Sequence, residues 1–245
     1  EVGGMAMVQD DKSAKFNGMP RSSISTGIDD FVLPPHKMPE ELLNYLKHPY
    51  INKSEDIKQA IDNETSVYEK IIHIIREQTH TDFNFYKEST IIRRLEKRIS
   101  INRFNNVEEY VAYLRKDPKE VYILYKELLI GVTRFFRDEE AYQSLKQRVL
   151  PDLLSNNKEE NQLRVWTVGC STGEEAYSLA IIIQEALEEY GKNLDVKIFA
   201  TDIDKDAIEV ASSGMYSENI VSDVNQDRLV KYFIKKEEGY QISEY

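Results

Sequence analysis

Residues Arg164–Ile181 read RVWTVGCSTGEEAYSLAI. An apolar run enters a turn of small residues and leaves as a helical pattern. The turn, Gly169-Cys170-Ser171-Thr172-Gly173, fits G-x-S-x-G, which in hydrolases holds a serine nucleophile on a sharp strand-to-helix elbow. Glycines at such a junction also let the backbone come close to a nucleotide cofactor. A third reading is a tight turn and nothing more.

A hydrolase elbow needs an acid and then a histidine later in the chain. The four histidines are His36, His48, His73 and His80, so no base follows Ser171. Cys170 as a nucleophile meets the same difficulty, because nothing near it in sequence would lower its pKa. The cradle reading accounts for more. Gly169 and Gly173 permit positive φ and close approach, and the next helix presents its N-terminus to the site. About thirty residues on, at the end of a second apolar run (VKIFA, 196–200), stands Asp202 in Thr201-Asp202-Ile203-Asp204. A carboxylate there can accept hydrogen bonds from both ribose hydroxyls of a nucleoside. Glu174 and Glu175 at the helix start would repel a phosphate but tolerate a cation. The ammonium and sulfonium of S-adenosylmethionine are such cations, so the acidic loop favours a methyltransferase over a dehydrogenase or an ATPase.

The chain has 245 residues, 41% of them hydrophobic and 10% aromatic, which is globular composition. No apolar run is long enough to cross a membrane, and no basic-plus-apolar leader follows Glu1, so neither insertion nor a signal peptide is expected. A single cysteine rules out an internal disulfide and suits a reducing cytoplasm. The net charge of −11 argues against general nucleic-acid binding. The histidines lack metal-ligand spacing, so no metal site is expected.

Residues 1–48 are rich in Gly, Met and Pro, with a short helix expected at 22–26, ended by Gly27, and another at 40–46. They hold too little periodic apolar sequence for a core of their own and read as the tail of a domain lying upstream. Residues 49–65 (PYINKSEDIKQAIDNET) read as a linker. From 66 to 150 apolar stripes at helical spacing predict a bundle of four or five short helices: Tyr68/Ile71/Ile72/Ile75, Ile91/Ile92/Leu95/Ile99, Val107/Val111/Leu114, Val121/Leu124/Leu128/Leu129, and Ala141/Tyr142/Leu145/Val149. From 151 to 245 the pattern is a strand at 163–168, a helix at 174–190, a strand at 196–200 and a helix at 206–212, which implies a right-handed crossover and a parallel sheet. Two clear strands are too few for a closed doubly wound sheet, and the sequence reads as cut at both ends.

Three ordered motifs, TRFFRD at Thr133–Asp138, the RVWTVGCSTGEEAYSLAI stretch and FATDID at 199–204, with a helical bundle ahead of them, resemble the CheR-type chemoreceptor methyltransferases. The resemblance covers 66–245. It implies an all-α N-terminal subdomain followed by a Rossmann-like α/β methyltransferase domain that binds S-adenosylmethionine and releases S-adenosylhomocysteine. It also implies O-methylation of glutamate side chains on bacterial chemotaxis receptors. GMPRSSISTGIDDFVLPP (18–35) resembles the C-terminal end of CheB-type methylesterases, so the two in tandem look like a segment of an esterase–methyltransferase fusion. The esterase triad would lie earlier in the chain than this segment.

Matched by motif, Thr133, Arg137, Glu175 and Asp202 fall on cofactor-contacting positions of the methyltransferase family, with the adjacent Glu174 an alternative to Glu175. A family position just before TRFFRD, often Asn, is Gly131 here. The family's later Asn-Leu and asparagine–tyrosine elements would fall after Tyr245. Arg137 can offer a two-pronged donor to a carboxylate, either the cofactor's methionine end or the substrate glutamate. Phe135 and Phe136 either line a dry reaction pocket or pack a helix end.

The helix around IIRRLEKRI carries Arg93, Arg94, Lys97 and Arg98 opposite Ile92, Leu95 and Ile99. Six basic and two acidic residues between Lys87 and Arg103 give a local +4. That face is either ordinary solvated surface or, as the resemblance implies, a docking surface for an acidic receptor helix. An enzyme and a catalytically incomplete module that binds receptor helices and cofactor are both compatible with these features.

Overall fold

A computed structural model describes residues 5–25, 29–46, 65–129, 131–156, 162–237 and 239–243. It divides the chain into two compact units, Glu1–Ile130 and Gly131–Tyr245.

In the first unit, β1 (Met7–Gln9) pairs in parallel with β2 (Phe31–Leu33) around α1 (Gly18–Ser25), and α2 (Met38–Leu46) follows. Both helices begin earlier than their sequence patterns suggest. The Arg21 amide already bonds to the Asn17 carbonyl, and Pro20 sits in the first turn, where its missing N–H costs nothing. Gly27 and most of the expected linker lie outside the described residues. The bundle consists of α3 (Thr65–Thr79), α4 (Glu88–Ile101), α5 (Val107–Leu114) and α6 (Pro118–Leu128). Asn106 caps α5 by accepting from the Glu109 amide at 2.8 Å. Asp117 caps α6 through the Lys119 amide at 2.9 Å, with Pro118 in the first position. The apolar stripes meet as one core, with Ile71, Ile75, Phe83, Ile91, Leu95, Ile99, Tyr110, Leu114, Leu124 and Leu128 fully buried.

That core contains a polar knot. Glu120 accepts both prongs of the Arg98 guanidinium at 2.9 and 2.7 Å, the Asn102 amide at 3.0 Å and the Tyr110 hydroxyl at 2.8 Å. Lys97 pairs with Asp30, next to β2, at 2.8 Å and with Glu127 at 3.5 Å. Burial, and then the neighbouring Glu120 carboxylate, push the Tyr110 phenol far above its ordinary pKa. Such a cluster persists because every charge has a partner.

The second unit opens with α7 (Glu139–Ser144), a π turn at Leu145–Val149 and α8 (Leu150–Asn156). Sequence periodicity assigned residues up to 150 to the first domain. The structure moves the boundary to 130/131, because Phe135, Phe136, Leu150 and Leu154 bury their side chains in the second core. Then come β3 (Gln162–Val168), α9 (Glu174–Glu189), β4 (Asp195–Thr201) and α10 (Lys205–Ser213). β3 and β4 are parallel and in register from Gln162↔Asp195 to Val168↔Thr201, as the strand–helix–strand pattern implied. Leu163, Val165, Val196 and Ile198 turn inward against Ile181, Ile182 and Ala186 of α9. The period-two alternation leaves Trp166, Val168 and Phe199 exposed. A further antiparallel sheet, in the order β5 (Met215–Tyr216), β7 (Gly239–Ile242), β6 (Phe233–Lys236), adds Tyr216, Phe233, Tyr240 and Ile242 to the same core, with α11 (Gln226–Tyr232) leading into β6.

Replacing Glu120 with Ala removes both short bonds to the buried Arg98 guanidinium and leaves it, among the described residues, only the longer contact to Glu127 at 3.4 Å. The expected loss, read by urea unfolding of the first unit, is about 3–5 kcal/mol; a loss below about 1 kcal/mol would contradict the account of the knot.

Candidate cofactor site

The sharp turn after β3 is held by backbone and carboxylate together. Gly169 and Cys170 donate their amides to the Thr201 carbonyl at 2.8 and 3.0 Å, which fixes the turn to the end of β4. Asp202 then accepts the Ser171 amide at 2.7 Å on one oxygen and the Asp204 amide at 2.8 Å on the other. Gly169 (φ +73°), Ser171 (φ +49°) and Gly173 (φ +95°) all occupy the left-handed region. At Gly173 a Cβ would come within 2.9 Å of the Ala211 Cβ and 3.1 Å of the Tyr216 hydroxyl, so the position tolerates no side chain. At Gly169, the exposed residue of the turn, a Cβ would meet nothing within 4 Å, so the backbone there is open to close approach.

The nucleophile readings end here. The Ser171 hydroxyl donates to the Gly131 carbonyl at 3.3 Å, with no imidazole among its partners. Cys170 is buried, and burial followed by the nearby Asp202 carboxylate raises its thiol pKa, which opposes thiolate formation.

Two carboxylates stand in the first turn of α9, where they favour the helix dipole. They are not equivalent. Glu174 is half-buried and accepts the Thr172 hydroxyl at 2.6 Å; burial raises its pKa. Glu175 is exposed, and among the described residues its carboxylate makes no hydrogen bond or ion pair.

The TRFFRD segment reaches this turn through two serines. Besides the Ser171–Gly131 bond, the fully buried Ser178 hydroxyl accepts the Phe136 amide at 3.1 Å and donates to the Glu174 carbonyl at 2.6 Å. Arg137 is exposed and folds back to the Val132 carbonyl at 2.8 Å, while Thr133 is half-buried. Phe135 and Phe136 serve packing. Phe135 meets Tyr216 and Phe233 edge-on at 4.8 and 5.4 Å, and Phe136 lies under the Arg228 guanidinium at 4.2 Å. Neither ring is left to line a pocket. All seven cofactor residues read from sequence, Thr133, Arg137, Gly169, Gly173, Glu174, Glu175 and Asp202, therefore belong to one unit and one hydrogen-bonded neighbourhood or its immediate flanks.

Periodicity gave no warning of Ser178 or Tyr216. The Tyr216 hydroxyl donates to the Thr172 carbonyl at 2.8 Å and so holds the turn at a second point, apart from the Asp202 bond to Ser171. A hydroxyl on the buried face of an apolar helix, four residues after Glu174, is the one signal that marked Ser178.

The basic helix needs a correction. Lys97 and Arg98 are buried in the knot with Asp30, Glu120 and Glu127, so they are not docking-surface residues. A helical wheel puts them opposite the isoleucines but cannot show that three distant acids cover them. Arg93 and Arg94 are half-buried, and the Nε of each makes no hydrogen bond among the described residues.

Known families match the chain in three ordered segments. Residues 131–245 match the family model described as CheR methyltransferase, SAM binding domain. Residues 66–129 match the CheR methyltransferase all-alpha domain, and residues 1–42 match CheB methylesterase. A chemotaxis protein methyltransferase of Borreliella burgdorferi is 28% identical over 71% of this chain and 64% of its own length. One of Listeria innocua is 30% identical over 69% of this chain and 62% of its own length. An uncharacterized 104.1 kDa protein of Rhodobacter capsulatus is 32% identical over 98% of this chain and 27% of its own length. The chain thus spans about a quarter of one relative and less than two thirds of the other two. Over residues 66–129 and 131–245 the chain belongs to the CheR methyltransferases, with a CheB methylesterase segment ahead of them.

Proposed function

We propose that this chain is the methyl-transferring part of a protein that uses S-adenosylmethionine to O-methylate glutamate side chains of chemotaxis receptors. The observation that carries the reading is an acidic turn whose backbone is fixed by Asp202 and which stays open at Gly169. The donor set fits the group. A nucleoside diol needs a carboxylate, and each Asp202 oxygen is engaged by one amide and has a second acceptor site. An ammonium or sulfonium needs anions nearby, and Glu174, Glu175 and Asp202 supply them, whereas a phosphate would be repelled.

When bound, S-adenosylmethionine supplies an electrophilic methyl group. The roles left to the chain are alignment and exclusion of water. Arg137 offers its guanidinium fork to the carboxylate of the methionine end, and Thr133 a hydroxyl beside it. Glu175 faces solvent and is the member of the acidic pair that can turn to the ammonium, because Glu174 already holds Thr172. A substrate glutamate, with a pKa near 4.3, is an anion at neutral pH, so no general base is required. Charge cancels as methyl transfer proceeds, which favours a dry site. Receptor helices would be met by Arg93 and Arg94, the two basic residues of α4 that the knot leaves partly exposed.

In calorimetric titration with S-adenosylhomocysteine, Asp202→Ala is expected to weaken binding by at least about tenfold, the scale of one lost charged hydrogen bond. Glu175→Gln weakens it more than Glu174→Gln does. An unaltered affinity for Asp202→Ala would refute the cofactor assignment. Separately, the double variant Arg93→Glu/Arg94→Glu is expected to weaken binding to an acidic, glutamate-bearing receptor helix. The wild-type affinity should fall as salt rises. A docking affinity indifferent to both charge reversal and salt would exclude this surface.

A further inference from the structure

Phe136 is an aromatic residue with φ +50°, a backbone conformation that costs of order 1–3 kcal/mol outside glycine and persists only when its surroundings fix it. Three contacts fix it here. Its amide donates to the buried Ser178 hydroxyl at 3.1 Å. Its ring is covered by Arg228 at 4.2 Å, and Arg228 is itself held by both oxygens of Glu185 on α9 at 2.7 and 3.0 Å. Its edge meets Tyr142 at 5.5 Å. The next residue is Arg137, whose guanidinium returns to the Val132 carbonyl and closes the loop on itself. The left-handed turn at Phe136 therefore sets the direction in which Arg137 leaves the backbone. The same serine donates to the Glu174 carbonyl at 2.6 Å, within the first turn of the helix that follows the cradle.

We propose that Ser178 is a positioning residue for the amino-acid end of the cofactor. By bonding the Phe136 amide and the Glu174 carbonyl with one hydroxyl, it fixes the loop bearing Thr133 and Arg137 relative to the helix bearing Glu175. The adenosine end is fixed separately, through Asp202 and the Ser171 amide. The two halves of the ligand thus depend on different parts of the hydrogen-bond network. This inference rests on the cofactor reading proposed above.

The test separates the halves. S-Adenosylhomocysteine carries the amino-acid end, and 5′-methylthioadenosine lacks it. In the 245-residue chain, Ser178→Ala is expected to raise the Kd for S-adenosylhomocysteine about tenfold, the effect of one buried hydrogen bond, and that for methylthioadenosine less than about twofold. Arg137→Ala should reproduce the split. Equal changes in both affinities, or none, would overturn the proposal, since a purely structural serine has no reason to distinguish the two ligands. Should Ser178→Ala fail to fold, hydrogen exchange in the wild-type chain decides: the Phe136 amide should gain protection with S-adenosylhomocysteine and not with methylthioadenosine. Equal protection by both, or none, counts against it. A wild-type chain that binds neither nucleoside contradicts the cofactor reading itself, a result distinct from two affinities that move together.

Discussion

The second unit depends on one hydrogen bond, from the Ser171 amide to the Asp202 carboxylate at 2.7 Å. A turn of small residues with three positive-φ positions has no large side chain to give it shape and takes its form from hydrogen bonds. Without an anchor it would sample many conformations, and any ligand would bear the entropy of ordering it. Asp202, set at the end of the neighbouring parallel strand, removes that freedom beforehand. Thr201 adds two backbone bonds from the same strand end, and Tyr216 a further constraint at the Thr172 carbonyl. Pairing of β3 with β4 from end to end is what brings these groups to the turn.

Around that anchor the electrostatics are one-sided. Glu174, Glu175 and Asp202 concentrate negative charge at a helix N-terminus, where the helix itself tolerates it. Burial raises the Glu174 pKa, and its bond to Thr172 commits the carboxylate to structure. Glu175, one residue along and on the exposed side, has no such commitment. Such a charge would favour cations over phosphates, unlike the glycine turns of dinucleotide and triphosphate sites.

The β3–α9–β4 unit was legible because each of its signals is local: two apolar runs, a small-residue turn and an acid at the second run's end. The bundle was legible for the same reason, since its helices keep a 3.6-residue period. Three features were not. The fate of Lys97 and Arg98 depends on Asp30, Glu120 and Glu127, which lie between 22 and 67 residues away and which no wheel of α4 contains. The β5–β7–β6 sheet is built from strands of two to four residues, too short to show a period. Sequence periodicity set the unit boundary twenty residues too late, at 150 instead of 130, because α7 and α8 look like further bundle helices. Only their packing against α9 and against Phe135 and Phe136 assigns them to the second unit. Phe135 and Phe136 show the same limit, since their sequence fits a pocket lining as well as the core in which they lie.

A crystal structure of this chain with S-adenosylhomocysteine tests the central claim most directly. The account predicts both ribose hydroxyls within hydrogen-bonding distance of the Asp202 carboxylate, with the Ser171 amide still donating to it. A ligand seated away from Asp202, or a turn that releases the Ser171 amide to admit the ligand, would contradict it.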